Sequence, residues 1–178
     1  MSAPHRTETE RLVLRRPALS DAEAIFAGYA SDPGVTRYLG WPRHTVIDQT
    51  RGFLAFCDTQ WRNSPCGPYV IESRALGTII GSTGLDFETP QRAATGYVLA
   101  RHAWGQGYAS EALRAMGALA PSLGAVRLQA LCHPDHRASS RVLEKCGFAF
   151  EGRLRRHSVF PNLDASQPQD ALLYAIAW

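Results

Sequence analysis

Two glycines lie where a strand-like run gives way to an amphipathic helix, and this arrangement suits an anion. Residues 95–99 are rich in β-formers, and from Ala109 onward the apolar side chains recur at helical spacing. Gly105 and Gly107 stand between them, and glycines adopt positive φ and let backbone N–H groups approach a ligand closely. The first turn of a helix leaves its amides unpaired and carries partial positive charge. The spacing therefore predicts a phosphate or pyrophosphate site, with a tight turn that binds nothing as the alternative.

Two familiar nucleotide-binding motifs do not fit this loop. In a P-loop, four residues separate the first glycine from a Gly-Lys-Ser/Thr run, and no such run follows here. A dinucleotide-binding fingerprint requires a third glycine where Ser110 stands. It also requires an acidic residue about twenty positions later, where the chain reads Ala125-Val126-Arg127. The predicted phosphate ligand therefore belongs to another class.

A second motif, residues 133–148, lies downstream of the glycines. Three apolar side chains share one face of a short helix, and Gly147 is placed to end that helix. In this order the two motifs resemble the GNAT superfamily of acyl-CoA-dependent N-acetyltransferases, and within it the ribosomal-protein N-terminal acetyltransferase-like branch. A looser resemblance runs from Arg11 to the C-terminus. The matching stretches are Gly96-Tyr97-Val98-Leu99, Trp104 to Ala112, and His136 to Phe148.

Length and composition fit a single domain spanning residues 1–178. The chain is 45% hydrophobic and 20% charged, and its 178 residues can bury one sizeable core. A net charge of +3 without a long basic run argues against a nucleic-acid partner. The polar first ten residues and the lack of a long apolar run predict no signal peptide and no membrane attachment. The 4 cysteines have no CxxC spacing and are interpreted as reduced thiols, so a cytoplasmic location is expected.

The predicted fold class is α/β, with a mixed sheet and helices on both faces. The predicted order of elements is β-α-α-β-β-β-α-β-α-β-β, which is the order that the GNAT resemblance implies. Two early helices are predicted to begin at the capping signals Ser20-Asp21-Ala22-Glu23 and 45–48, and two later helices to cover 107–120 and 139–146. Predicted strands cover residues 11–16, 69–73, 78–87, 93–99, 126–132, 149–156 and 171–177.

The resemblance implies acetyl-CoA as cosubstrate and indicates the residues that would hold it. Backbone amides of residues 105–110 would bind the pyrophosphate, and the pantetheine arm would pair with residues 97–99. An amide at Val98 or Leu99 would polarise the thioester carbonyl. Arg101, Arg137 and Lys145 are candidates for the adenosine-side phosphate, with ordinary solvated charge as the alternative. The predicted cofactor-binding set is Tyr97, Val98, Leu99, Trp104, Gly105, Gln106, Gly107, Tyr108, Ala109, Ser110, His136 and Ser139.

Acetyl transfer also requires a proton for the departing thiolate and a neutral amine. Many GNAT enzymes carry a tyrosine where this chain has Leu143, so Ser139 is predicted as the acid, with helix capping as its alternative role. Ala94 and His136 stand where the branch often has a glutamate and an asparagine. The group that orients the amine or takes its proton is therefore predicted to be His136, a carboxylate near the end of the strand 78–87, or a water chain. The predicted catalytic set is Ser139, His136 and Glu88, with Asp86 as the other strand-end carboxylate.

Residues 132–136 combine a cysteine, two histidines and an aspartate, but no metal is predicted there. Structural zinc normally takes its ligands from two separated pairs, and the sequence offers no partner pair. Cys132 as a covalent nucleophile is a further alternative.

The acceptor is the least determined part of the prediction. Tyr38, Trp41 and Trp61 are predicted to line its opening, on the side opposite the cofactor. A peptide or protein N-terminus and a small-molecule amine both remain open, as do a monomer and a homodimer. The predicted function is N-acetyl transfer from acetyl-CoA to a primary amine by direct attack in a ternary complex. A catalytically silent acyl-CoA-binding or sensing domain is the alternative.

Overall fold

A single eight-stranded sheet of mixed polarity forms the centre of the fold. The computed structural model describes residues 2–178, so residue 1 of the predicted domain lies outside the described residues. The strand order is β1-β2-β3-β4-β5-β6-β8-β7, in which β5 and β6 are parallel and the other neighbours antiparallel. The predicted mixed α/β fold is confirmed. The strands are β1 Arg6–Glu8, β2 Leu12–Arg15, β3 Pro68–Ser73, β4 Thr78–Thr89, β5 Arg92–Leu99, β6 Arg127–Cys132, β7 Ala149–Phe160 and β8 Asp164–Ala177.

Five α-helices flank the sheet, and α1 continues directly into a π-helical turn at Phe26–Ala30. The short α2 begins at the Asp32 cap, whose carboxylate accepts hydrogen bonds from the Gly34 and Val35 amides. No helix among residues 2–178 combines the length and the hydropathy of a membrane span. The helices are α1 Ala22–Ile25, α2 Pro33–Thr36, α3 Ile47–Asn63, α4 Tyr108–Ser122 and α5 Arg137–Lys145, with 3₁₀ turns at Leu19–Asp21 and Arg101–Ala103.

The two faces of the sheet bury different helices. The first core contains Leu85, Ala93 and Leu128 of the sheet together with the apolar stripe of α4, including Leu113. The second core joins Val98 and neighbouring strand residues to side chains of α1, α2 and α3. Alternate residues of one strand therefore serve opposite layers, as the pleat requires.

The strands β5 and β6 separate soon after they begin, and this separation opens a cleft through the sheet. They pair only at Arg92↔Arg127, Ala93↔Leu128 and Ala94↔Gln129. Residues 95–99 of β5 therefore have no strand partner on that side. We call this gap the β5–β6 cleft, and its apex lies at Ala94.

The β7–β8 hairpin is longer than predicted, because most of the connection expected between the predicted strands 149–156 and 171–177 is itself strand. Pairing continues outward to Phe160↔Asp164. The prediction was wrong here because most outer hairpin residues are exposed, so they show little of the apolar alternation that marks a half-buried strand. Asn162 at the hairpin tip donates to the carbonyls of Thr36 and Trp41 at 2.7 and 2.9 Å and accepts from the Arg43 amide. The hairpin tip is therefore fastened to the chain that follows α2.

Candidate active site

The glycine loop, residues 105–107, leads into a helix whose first amides lack a protein acceptor. Gly105 and Gly107 have φ values of 74° and 81°, in the left-handed region that glycine tolerates. Gly107 is the N-cap of α4. The N–H groups of Gly107, Tyr108, Ala109 and Ser110 meet no acceptor among residues 2–178. Consecutive free donors at the positive end of a fifteen-residue helix are an arrangement suited to an anion.

Arg11 and Glu111 hold the glycine loop against the N-terminal strands. The Glu111 carboxylate accepts from the Arg11 amide at 2.8 Å, from Arg11 Nε at 2.7 Å and from the Thr9 hydroxyl at 2.6 Å. The same guanidinium donates to the Gln106 carbonyl at 2.9 Å and lies 4.7 Å from the centre of the Tyr108 ring. Burial acts to raise the pKa of Glu111, but these hydrogen bonds outweigh it and hold that pKa below its usual value. The protein itself thus fixes the loop geometry.

A cavity of about 490 Å³ borders the glycine loop, and we call it the loop cavity. Gln106 does not line it, because its side-chain amide turns back to donate to the His102 carbonyl at 2.7 Å. Of the three basic candidates, Lys145 lines this cavity, whereas Arg101 is paired with Asp32 at 2.8 Å. The predicted cofactor residues that line it are Tyr97, Val98, Leu99, Trp104, Gly105, Gly107, Tyr108, Ala109, Ser110 and His136.

The strand β5 turns alternate peptide groups toward the β5–β6 cleft. The Ala100 amide donates to the Ile80 carbonyl at 2.8 Å, so strand alternation directs the peptide groups of Val98 toward β4 as well. Those of Tyr97 and Leu99 face the cleft, where the Leu99 carbonyl accepts from the Trp104 indole at 2.8 Å. Of the two amides predicted to polarise a thioester carbonyl, only that of Leu99 faces the cleft. The Val98 amide points toward β4 instead, within the hydrogen-bond ladder that joins β4 and β5.

A second cavity, of about 510 Å³, lies on the side of the sheet that carries α1 to α3. We call it the aromatic cavity, because Trp41, Phe53 and Phe56 form part of its wall. Five residues border both cavities, so the two spaces meet around the cleft. These shared residues are Tyr38, Leu39, Tyr97, Val98 and His136.

Ser139 borders the aromatic cavity at the first turn of α5, and only 9% of it is exposed. The Tyr97 hydroxyl lies 3.4 Å from Ser139 Oγ and donates to it. Burial raises the pKa of Tyr97 to about 12, against the opposing effect of the Ser139 hydrogen bond, so this phenol keeps its proton. With Tyr97 as its donor, the Ser139 hydroxyl is free to donate its own proton into the cavity. The sequence predicted Ser139 as an acid but assigned Tyr97 only to the cofactor-binding strand.

His136 lies in a stack of rings between the two cavities. The Tyr38 ring stacks on His136 at 4.8 Å and on His133 at 5.1 Å between ring centres. Gln169 in turn contacts His133 Nε2 at 3.1 Å. Burial lowers the pKa of His136 below the usual 6.5, and His133 lowers it further. His136 is therefore neutral at neutral pH.

This lowered pKa predicts a pH dependence of the protein's activity. The neutral imidazole can accept a proton from an amine or orient a water, and protonation removes both abilities. Because the pKa of His136 is lower than the usual histidine value of 6.5, we expect kcat/KM to fall only as the pH drops below 6.5. The His136→Asn variant should keep activity but lose this acidic limb. Measuring pH–rate profiles of both proteins with one acceptor tests the assignment, and an unchanged limb in His136→Asn would make His136 a structural residue.

Comparisons with known proteins identify the family. A family model described as an acetyltransferase (GNAT) domain matches residues 11–149. The chain belongs to the GNAT family. The uncharacterized N-acetyltransferase YoaA of Bacillus subtilis (strain 168) is 34% identical to it over 172 residues, which cover 95% of this chain and 94% of that protein. The predicted GNAT membership and the predicted acetyltransferase activity are thereby confirmed.

Solved structures of GNAT enzymes share the fold. The GNAT-family acetyltransferase from Bacillus anthracis superposes with a TM-score of 0.82 at 24% identity, covering 97% of this chain and 98% of that one. The microcin C7 self-immunity acetyltransferase MccE, solved in complex with acetyl-CoA and AMP, superposes with a TM-score of 0.84 at 20% identity. The two chains are covered to 96% and 94%.

Two residues predicted for the site of this GNAT enzyme lie elsewhere. Glu88 does not line either cavity, because its carboxylate is held by Arg92 at 2.7 Å and by the Gln129 amide at 2.9 Å. Trp61 is buried at the end of α3, where its indole donates to the Pro68 carbonyl at 2.8 Å and packs edge-on against Tyr69. In both cases partners that the sequence patterns do not reveal already engage the side chain.

Cys132 borders the aromatic cavity, where it could in principle act as a nucleophile. Its thiol is buried, and this burial raises its pKa, outweighing the hydrogen bonds from Ser140 and Ser139. A thiol, rather than the nucleophilic thiolate, is therefore favoured. His133 is engaged by Gln169 and by the Asp135 amide, so residues 132–136 of the enzyme do not converge on one point.

Proposed function

We propose that this acetyltransferase transfers the acetyl group of acetyl-CoA to a primary amine by direct attack within a ternary complex. The observation that carries the proposal is the meeting of the two cavities at the β5–β6 cleft, beside Tyr97 and His136. One cavity borders the free amides of α4, and the other lies on the side of the sheet that carries α1 to α3. A thioester and an amine could therefore approach one another from opposite sides.

The loop cavity is suited to coenzyme A. The free amides of residues 107–110 match a pyrophosphate, and Lys145 adds a positive charge to the same cavity. The peptide groups of Tyr97 and the amide of Leu99, which face the cleft unpaired, would pair with an extended pantetheine arm as an added strand does. The related fold of MccE was solved with acetyl-CoA bound. These features support acetyl-CoA as the cosubstrate.

The chemistry can be written with the residues at the junction. The amine nitrogen attacks the thioester carbonyl, the C–N bond forms, and the C–S bond breaks as the tetrahedral intermediate collapses. A cleft-facing amide of β5 would stabilise the oxyanion. The Ser139 hydroxyl would protonate the departing thiolate as it takes up the Tyr97 proton through their hydrogen bond, and water in the cavity would return a proton to Tyr97. The proton lost by the amine would pass to neutral His136 or to water.

A turnover assay with a panel of primary amines and short peptides tests this function. The enzyme is incubated with acetyl-CoA and each acceptor, while free CoA thiol and the acetylated product are both measured. We expect thiol release that depends on the amine and equals the acetylated product. Binding of CoA without turnover on any acceptor would instead indicate a catalytically silent acyl-CoA-binding domain.

A further inference from the structure

A free carboxylate lies next to the apex of the β5–β6 cleft. Asp86 on β4 pairs directly with Ala94 on β5, and Ala94 pairs in turn with Gln129 on β6. This is the last position at which β5 and β6 are joined. Directly opposed residues of paired strands point to the same face of the sheet. Asp86 therefore belongs to the face that carries the aromatic cavity, and it borders that cavity.

The Asp86 carboxylate has no partner among residues 2–178, neither a hydrogen-bond donor nor an ion pair. Glu88, two residues further along the same strand, differs from Asp86 in this respect. Its carboxylate forms an ion pair with Arg92 and accepts a hydrogen bond from the Gln129 amide. Asp86 is exposed to the solvent of the cavity. It is the one Asp, Glu, Lys or Arg among the described residues that border this space. The aromatic cavity thus offers one unpaired negative charge.

The rest of the aromatic cavity is largely apolar, although polar side chains such as Gln60, Thr95 and Ser158 also border it. Beside Asp86 lies the glycine pair Gly84↔Gly96, where a Cβ added at Gly96 would meet nothing within 4 Å but one added at Gly84 would lie 3.0 Å from Pro68 Cα. Large apolar side chains are exposed around the rim, with exposures of 52% for Phe56, 41% for Leu131 and 42% for Val159. Exposed apolar patches of this kind mark binding surfaces. The further apolar walls are Leu39, Trp41, Phe53 and Phe160.

We propose that Asp86 binds the ammonium group of the acceptor, and that this acceptor is a primary amine with a single positive charge and an apolar body. The bound ammonium would pass one proton to water before the attack, because only the neutral amine is a nucleophile. The inference rests on the proposed acetyl transfer and adds the acceptor class to it. A lone carboxylate pairs with one ammonium, and a polycation would leave further charges unpaired against apolar walls. Asp86 lies opposite Ala94, at the closed end of the same cleft along which the peptide groups of Tyr97 and Leu99 would hold the thioester arm.

The first test compares three amines of different character on the wild-type enzyme. Phenethylamine carries one charge and an aromatic body, ethanolamine one charge and a polar body, and spermidine several charges. We expect the highest kcat/KM for phenethylamine, with ethanolamine at least about tenfold lower because it cannot bury an apolar group. A preference for spermidine or ethanolamine would overturn the acceptor class.

The second test moves the carboxylate across the paired strands. Asp86→Asn should lower kcat/KM for phenethylamine about 10- to 100-fold, the scale of a lost charged hydrogen bond, with unchanged CoA affinity. Ala94→Asp, added to Asp86→Ala, should restore much of the loss, because it returns a carboxylate to the same face. Glu151→Gln removes a carboxylate on the outer strand β7 and serves as the matched control, expected to leave kcat/KM unchanged.

The outcomes separate this inference from the function on which it rests. If the wild-type enzyme acetylates no amine although it binds CoA, the proposed function and this inference both fail. If amines are acetylated but Asp86→Asn keeps wild-type kcat/KM, only the role of Asp86 is overturned. The same conclusion follows if adding Ala94→Asp to Asp86→Ala restores no activity although the melting temperatures of the two variants match. It also follows if Glu88→Gln lowers kcat/KM more than Asp86→Asn does.

Discussion

Replacing Gly107 with valine is expected to abolish the thermal stabilisation that acetyl-CoA gives to the wild-type protein. A ligand at about 100 times its Kd stabilises a fold by about 2.7 kcal/mol, or roughly 5 to 10 °C for a chain of this length. In the variant a branched side chain would stand beside the free amides of α4, at a φ of 81°. Its Cβ would lie 3.4 Å from the Arg11 guanidinium, which orders the loop. Melting curves with and without acetyl-CoA give the readout.

The matched control for this variant is Gly77→Val, in the turn between β3 and β4. Gly77 also has a left-handed φ, of 63°, and a Cβ added there would meet nothing within 4 Å. It should therefore lower the melting temperature through backbone strain of about 1–2 kcal/mol but keep the full acetyl-CoA shift. An undiminished shift in a folded Gly107→Val variant would refute the loop as the phosphate site.

Ser139→Ala is expected to lower kcat by about 10²-fold or more, the usual scale for the loss of a general acid. Such a loss corresponds to about 2.7 kcal/mol of transition-state stabilisation. CoA affinity should change little, because Ser139 borders the aromatic cavity rather than the loop cavity. The measurement is kcat with saturating acetyl-CoA and acceptor, together with the Kd for CoA.

Two further variants separate acid catalysis from helix stability. Ser140→Ala removes the neighbouring hydroxyl of the same helical turn, which contacts Cys132, and should retain kcat. Tyr97→Phe should lower kcat, and its effect should not add to that of Ser139→Ala if the two hydroxyls act as one unit. Near-normal kcat in Ser139→Ala would leave Ser139 with a structural role in the first turn of α5.

The parts of the fold that were predictable from sequence are those with local signals. The glycine loop combines residues of positive φ with the start of an apolar helical stripe, and both features are visible in the sequence alone. The strand β5 and the helix α4 lie within one or two residues of the predicted ranges. The family resemblance added the role of this region, and the matching family model supports it.

Other parts depend on contacts that sequence patterns do not reveal. Trp61 is engaged by Pro68 and Tyr69, Glu88 by Gln129, and the hairpin tip by the chain after α2. The Asp86↔Ala94 pairing likewise needs the strand register, which sequence patterns leave open by a residue or two. The sequence predicted for Tyr97 only a backbone role in binding the cofactor. Its hydroxyl contacts Ser139 only in the folded chain.

Initial-rate kinetics with both substrates varied test the central claim most directly, namely direct attack where the two cavities meet. Rates are measured over a grid of acetyl-CoA and amine concentrations for the wild-type enzyme and for Cys132→Ala. A ternary complex predicts intersecting lines in double-reciprocal plots and substantial activity in the Cys132→Ala variant. Parallel lines, with an acetylated enzyme that accumulates without amine and disappears in Cys132→Ala, would contradict direct attack and assign the transfer to a covalent intermediate.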